Sequence, residues 1–156
     1  MKGDEDVIEL LNDVLTGELT AINQYFIDTK MQVNWGYERL AVRIREESME
    51  EMRDAEALID RILYLEGIPN LQRLGTIRIG ETVPEQFSLA LDQEYLAIKR
   101  LNDGIALCSE RGDHGSREVL EKILEGEEGH VAWLETQLQL LKSLGEAPYL
   151  AQQVQG

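Results

Sequence analysis

The feature that most constrains this chain is a glutamate at the centre of an apolar helical face. Residues 119–144 form an amphipathic run, and a helix turns by about 100° per residue. This geometry places six apolar residues within roughly 40° of Glu127: Leu120, Ile123, Val131, Leu134, Leu138 and Leu141. His130 follows one turn later on the same face. Because a buried carboxylate is unfavourable unless something pairs with it, the Glu-x-x-His pair predicts metal ligands.

Three further helical runs repeat this arrangement, with Glu18, Glu51 and Glu94 each central on an apolar face. Asp54 follows Glu51 at the i+3 position. One such glutamate could be a boundary residue, but four unpaired buried carboxylates would outweigh the net stability of a typical domain. The lysines and arginines lie mostly off these faces, so divalent metal is the natural partner. Glutamates from two helices and Glu-x-x-ligand pairs from two others form the dinuclear carboxylate sites of helical bundles.

The periodicity predicts an all-α fold in one domain spanning residues 1–156. The expected helices cover residues 4–34, 37–66, 83–111 and 114–144, with a short C-terminal helix over about 147–154. The sixteen residues 67–82 have no helical period. They can span about 53 Å, and a helix of about 30 residues is roughly 45 Å long, so the connection can return along the whole bundle. The prediction is a four-helix bundle with one long crossover between parallel second and third helices.

The crossover alternates apolar and polar residues, which predicts that it packs as an extended strap through Leu71, Leu74, Ile77 and Ile79. The chain carries 30 acidic and 15 basic residues, a net charge of −15, which argues against a nucleic-acid partner. No apolar run reaches the length of a membrane span, and the N-terminus lacks the apolar segment of a signal peptide. We therefore expect a cytoplasmic protein without a membrane partner.

Several stretches carry a resemblance to a known family. They are residues 1–4 (MKGD), 17–26 (GELTAINQYF), 34–36 (NWG), 62–72 (ILYLEGIPNLQ), 78–81 (RIGE) and 113–135. Through them the sequence resembles a bacterioferritin along nearly its whole length. The resemblance implies a ferritin-like fold, a cage of 24 subunits that stores ferric mineral, and Fe(II) oxidation at a di-iron centre within each subunit. It also implies haem b at twofold interfaces and an electron-donor protein for iron release.

Residue by residue, the positions that match the family's iron ligands are Glu18, Glu51, Glu94, Glu127 and His130. The resemblance implies that Glu51 and Glu127 bridge the irons, while Glu18 and Glu94 are terminal. Met52 matches the methionine that supplies one axial sulfur from each subunit to a shared haem. Its periodicity alone favours an ordinary methionine at a dimer interface.

Position 54 departs from the family pattern, which has histidine where this chain has Asp54. An Asp oxygen and a His Nδ1 are the same number of bonds from Cβ, so Asp54 can reach a metal that histidine would ligate through Nδ1. Five carboxylates facing two Fe(II) ions leave a formal surplus of −1 (−5 + 4), which a proton on one carboxylate could remove. The centre is therefore either functional but altered, or it is a weakened or single-metal site.

The leading hypothesis is iron storage with ferroxidase activity, with electrons passing from Fe(II) to O₂ or peroxide. The alternative is a haem-binding structural subunit, impaired by Asp54, that co-assembles with a second, active bacterioferritin subunit. A third hypothesis is a di-metal oxidase or peroxidase that forms no cage. It would lack interface features such as Met52 and the apolar tail after Pro148, both of which this sequence has.

Overall fold

The computed structural model describes residues 1–155, which form five helices and no strands. The helices are α1 (Glu5–Asn34), α2 (Glu38–Tyr64), α3 (Val83–Glu110), α4 (His114–Leu144) and α5 (Glu146–Ala151). The first four form the predicted bundle, in which α1 packs mainly on α2 and α3 mainly on α4. Among these residues, no helix combines the length and apolarity needed to cross a bilayer.

The connection between α2 and α3 runs along α1, and polar side chains of α1 hold it. Asn12 accepts a hydrogen bond from the backbone N–H of Asn70 at 2.8 Å, and Thr20 accepts one from Gly75 at 2.8 Å. Gln24 accepts one from Arg78 at 2.8 Å. The connection therefore returns in the direction of α1, opposite to α2, and α3 starts parallel to α2 as predicted.

The means of attachment differs from the prediction. Leu71, Leu74 and Ile79 are 57, 49 and 57 % exposed and do not pack the strap against the bundle, whereas Ile77 is partly buried. The reason is that the backbone of an extended segment must satisfy its hydrogen-bonding groups, and Asn12, Thr20 and Gln24, spaced eight and four residues apart on α1, do this directly.

Two helix ends differ from the expected boundaries. α2 ends at Tyr64 rather than near Glu66, because Glu66 itself adopts the left-handed conformation with φ of 62°. Gly67, which follows Glu66, lets the chain pack closely against α1, since a Cβ there would lie 2.7 Å from Ile8 Cγ2. The terminal helix α5 ends at Ala151, short of the expected residue 154.

The bundle interior consists of two apolar clusters with a polar layer between them. One cluster includes Leu15 of α1 and Leu101 of α3, and the other includes Tyr25 of α1 and Ala90 of α3. Each of the four long helices contributes to both clusters and passes through the polar layer between them. The layer contains the glutamates predicted from sequence, and all four are buried: Glu18, Glu51, Glu94 and Glu127.

Candidate metal centre

The structure brings the predicted ligands together in two overlapping groups. Each residue of a group offers one ligand-type atom, and these atoms lie within 4.8 Å of one another. The members of the first group are Glu94, Glu127 and His130, and those of the second are Glu18, Glu51, Asp54 and Glu127. Glu127 belongs to both groups, which is the geometry of a carboxylate shared between two cations. Glu51 belongs to the second group alone, so its bridging role stays a prediction.

The cluster contains buried polar atoms that no protein group satisfies. These atoms are Glu18 Oε2, Glu94 Oε2, Glu127 Oε2 and His130 Nε2. Buried polar atoms are normally paired, and leaving one unpaired is unfavourable by about 1–3 kcal/mol. Carboxylate oxygens and an imidazole nitrogen suit divalent iron, manganese and zinc. The residues therefore fit a pair of divalent metal ions.

Asp54 lies with this cluster although it departs from the expected histidine. Its side chain is partly buried, and a carboxylate oxygen approaches the ligand atoms of Glu18, Glu51 and Glu127. Burial, followed by the negative charge of Glu50, raises the pKa of Asp54 to about 7. A metal ion at this position would remove both unfavourable effects by supplying positive charge.

The carboxylates also act on one another. Burial raises the pKa of Glu18 well above its usual range, and the negative charges of Asp54 and Glu94 raise it further. Arg100 opposes this shift with its positive charge. The metal-free cluster therefore holds protons that metal ions would displace.

Aromatic side chains orient the His130 side of the cluster. The Tyr25 hydroxyl donates a short hydrogen bond to Glu94 Oε1 and lies 3.4 Å from His130 Nδ1. The indole of Trp133 stacks on the imidazole of His130, with ring centroids 6.2 Å apart and an interplanar angle of 22°. Such partners fix the orientation of ligand side chains.

The sequence interpretation missed Glu47. This carboxylate is 9 % exposed, and its Oε2 lies 3.6 Å from His130 Nδ1. Arg43 pairs with Glu47 at 3.1 Å, and its guanidinium lies 4.8 Å from the centre of the Trp133 ring. Helical periodicity identifies Glu47, because it precedes Glu51 by four residues and so shares its helical face.

A cavity of about 290 Å³ connects the cluster to the surface. Its lining includes Glu18, Glu94 and Glu127 of the cluster, and also Asp13 and the exposed Asp92. The lining also includes Arg78 and Arg100, so the path from solvent to the ligand atoms carries charges of both signs.

Met52 lies outside the ligand groups. It is 44 % exposed on α2, whereas its neighbour Glu51 is 3 % exposed and points into the cluster. Met49 of the same helix and Phe26 of α1 are 51 and 63 % exposed. These side chains give the α1–α2 pair an outward-facing apolar character.

Comparison with known proteins agrees with this architecture. The family model described as a ferritin-like domain matches residues 8–144. The chain is 55 % identical over 152 residues to the bacterioferritin of Mycobacterium leprae, covering 97 % of this chain and 96 % of that protein. It is 50 % identical over 151 residues to the bacterioferritin of Streptomyces coelicolor, covering 97 % of this chain and 90 % of that one.

Solved structures give the same result. The structure of Mycobacterium tuberculosis bacterioferritin, BfrA, matches with a TM-score of 0.98 and 54 % identity, covering 99 % of this chain and 98 % of that one. The four-helix bundle with a long crossover and a short C-terminal helix is therefore confirmed as ferritin-like, and the chain belongs to the bacterioferritin family.

Proposed function

We propose that this chain is a subunit of an iron-storage protein that binds two Fe(II) ions in its carboxylate cluster and oxidises them to Fe(III). The observation that supports this most directly is that Glu127 belongs to both ligand groups, so one side chain can hold two cations close together. Membership of the bacterioferritin family supports iron storage as the purpose of that chemistry.

Iron is the substrate of the proposed reaction, and the protein groups bind and orient it. Glu94 and His130 hold one Fe(II), Glu18, Glu51 and Asp54 hold the other, and Glu127 spans the two. Each Fe(II) gives one electron, and the two electrons with two protons from solvent reduce O₂ to hydrogen peroxide or hydrogen peroxide to two water molecules. Hard carboxylate oxygens favour the Fe(III) that results. Tyr25 keeps Glu94 and His130 in place through its hydroxyl.

The proposal includes a cage of 24 such subunits. Large exposed apolar side chains on α1, α2 and the strap support burial against other copies, among them Phe26, Met49, Leu63, Ile68 and Leu71. Glu46 and Glu50 are exposed on α2 and could bind iron at the inner surface. The mass of the intact assembly by light scattering tests this part, and a monomer or dimer would contradict it.

We also propose that haem b binds between two copies of Met52. The thioether is exposed on a helix face that carries further apolar side chains, so two subunits could enclose an apolar group there. When bound between two methionine sulfurs, a haem supplies electron transfer, which would serve reduction of stored iron. Met52 holds the group, while Met49 and Phe26 would exclude water from it.

Replacing Met52 with leucine is expected to abolish haem binding, because leucine preserves the apolar volume and removes the thioether that would hold the haem. The measurement is the Soret absorbance per subunit after expression with haem supplied. Met49→Leu is the matched control and should retain haem. Full haem occupancy in Met52→Leu would contradict the assignment.

Asp54 gives the sharpest test of the proposed function. We expect the wild-type protein to bind two Fe(II) per subunit anaerobically and to oxidise them rapidly on mixing with O₂. Asp54→Ala should bind one, with oxidation slowed by about tenfold to a hundredfold, because a ligand of one group is lost. Asp54→His should bind two. Asp60→Ala, an exposed aspartate of the same helix, should behave as wild type.

A different outcome would favour the second hypothesis. If the wild type oxidised Fe(II) no faster than buffer and Asp54→His restored rapid oxidation, the site of this chain would be incomplete. The subunit would then chiefly supply haem and cage beside a partner subunit that oxidises iron.

A further inference from the structure

Arg100 of α3 is a partly buried cation at the wall of the metal cluster. It lines the same cavity as Glu18, Glu94 and Glu127. Within residues 1–155 its guanidinium forms no ion pair with any carboxylate. Because no carboxylate pairs with the guanidinium, its positive charge acts on the cluster beside it.

Gly17 provides the space for this guanidinium. A Cβ at position 17 would lie 2.5 Å from Arg100 Nη1 and 3.5 Å from its Cζ. Gly17 is in the middle of α1 and its φ is not positive, so the backbone does not require glycine there. Glycine in a helix interior is unfavourable by about 1 kcal/mol relative to alanine. The close approach of Arg100, next to the ligand Glu18, gives this glycine a role.

The charge of the filled site explains why a cation belongs there. Five carboxylates contribute −5, namely Glu18, Glu51, Asp54, Glu94 and Glu127. Two divalent ions contribute +4, and Arg100 contributes +1, so the sum is zero. With Fe(III) in both positions the same sum is +2. A fixed cation repels a trivalent ion more than a divalent one in proportion to charge.

We propose that Arg100 is the counter-charge of the metal centre, which offsets the surplus carboxylate that Asp54 introduces and limits how tightly the cluster holds cations. This inference rests on the proposed function. Arg100 belongs to neither ligand group; its charge acts on Glu18 from the position that Gly17 leaves open. Its consequence is a site that loads with Fe(II) and disfavours retention of the Fe(III) product.

The test is binding of Co(II), whose visible absorption reports ligation without any redox step. We expect Arg100→Gln to bind Co(II) about fivefold or more tightly than wild type, since removal of a nearby cation lowers the repulsion of a divalent ion. Arg100→Lys keeps the charge and should stay near wild type. Lys99→Gln is the matched control, because Lys99 adjoins Arg100 but is 75 % exposed and pairs with Asp103.

A second variant moves the guanidinium without changing the net charge. Gly17→Ala places a methyl carbon 2.5 Å from Arg100 Nη1, so the flexible side chain must leave its position against α1. We expect tighter Co(II) binding than wild type, by less than in Arg100→Gln. Helical content by circular dichroism verifies the fold of each variant.

Unchanged or weaker Co(II) binding in both Arg100→Gln and Gly17→Ala, with folds intact, would overturn the inference while leaving the proposed function standing. Failure of the proposed function has a different signature. In that case the Co(II) absorption of the wild type would be absent, or would be the same in Glu127→Gln. The inference about Arg100 would then fail as well.

Discussion

Glu127→Gln is expected to abolish paired Fe(II) binding and to slow Fe(II) oxidation by about a hundredfold or more. Loss of groups that only support a ligand reduces metal affinity or activity by 10–100-fold, so loss of a ligand shared by two ions should exceed that range. Every other ligand belongs to a single group, whereas Glu127 belongs to both. Anaerobic Fe(II) titration followed by stopped-flow mixing with O₂ measures both effects.

The matched control is Glu128→Gln, which removes the same charge from an exposed position one residue away and should leave both measurements unchanged. Loss of folding does not explain the expected defect, because glutamine keeps the shape of glutamate and removes a buried charge. Metal-free Glu127→Gln should therefore unfold at the same or a higher temperature than metal-free wild type. Binding of two Fe(II) per subunit by Glu127→Gln would contradict the assignment of Glu127 as the shared ligand.

Periodicity predicted the cluster well because its residues obey a rule that backbone geometry enforces. Glu18, Glu51, Glu94 and Glu127 each lie at the centre of an apolar face, and a regular helix must aim such a side chain inward. The same rule applied to Glu47 would have identified a fifth buried glutamate. Glu47 lies about 40° from the centre of this face, within the width that the bundle buries.

Other features lie beyond such a rule. Arg100 projects about 120° from Glu94 on the helical wheel, so its Cβ direction predicts a position away from the cluster. Its long side chain, together with the space beside Gly17, places the guanidinium near the cluster. The exposure of the strap has a related reason, because Ile77 and Ile79 have the period of two of a half-buried strand. The hydrogen-bonding partners of an extended segment depend on its neighbour α1, which a local pattern does not identify.

The metal-free protein is expected to lose stability as the pH rises from 5 to 8. Burial raises the pKa of Asp54 to about 7 and that of Asp28 to about 7, and it raises those of Glu18 and Glu47. A carboxyl group whose pKa is higher in the folded state binds its proton more tightly there. Its favourable contribution is complete below the unfolded pKa of about 4 and is lost as the pH passes through 7.

The two groups whose pKa lies at about 7, Asp54 and Asp28, should together reduce the free energy of unfolding by roughly 3–5 kcal/mol between pH 5 and pH 8. For a chain of this length that corresponds to a fall in melting temperature of about 10 °C or more. Asp28 lies outside the metal ligand groups, so Asp28→Asn should remove its share of the pH dependence and nothing else. Thermal unfolding of chelator-treated protein at several pH values gives the measurement. A melting temperature that is constant or rises from pH 5 to pH 8 would contradict the prediction.

Zinc should oppose this dependence, because a divalent ion takes the place of the protons that stabilise the metal-free cluster. Zn(II) does not change oxidation state, so its effect reports binding alone. At a concentration of 100 times its dissociation constant, an ion adds about 2.7 kcal/mol to stability. Protons compete with the ion at pH 5 and hardly at pH 8, so the rise in melting temperature should be larger at pH 8. In Glu127→Gln the rise should be small at both pH values, since neither ligand group is complete. A rise in wild type that is equal at pH 5 and pH 8 would show that Zn(II) binds elsewhere than in the buried carboxylate layer.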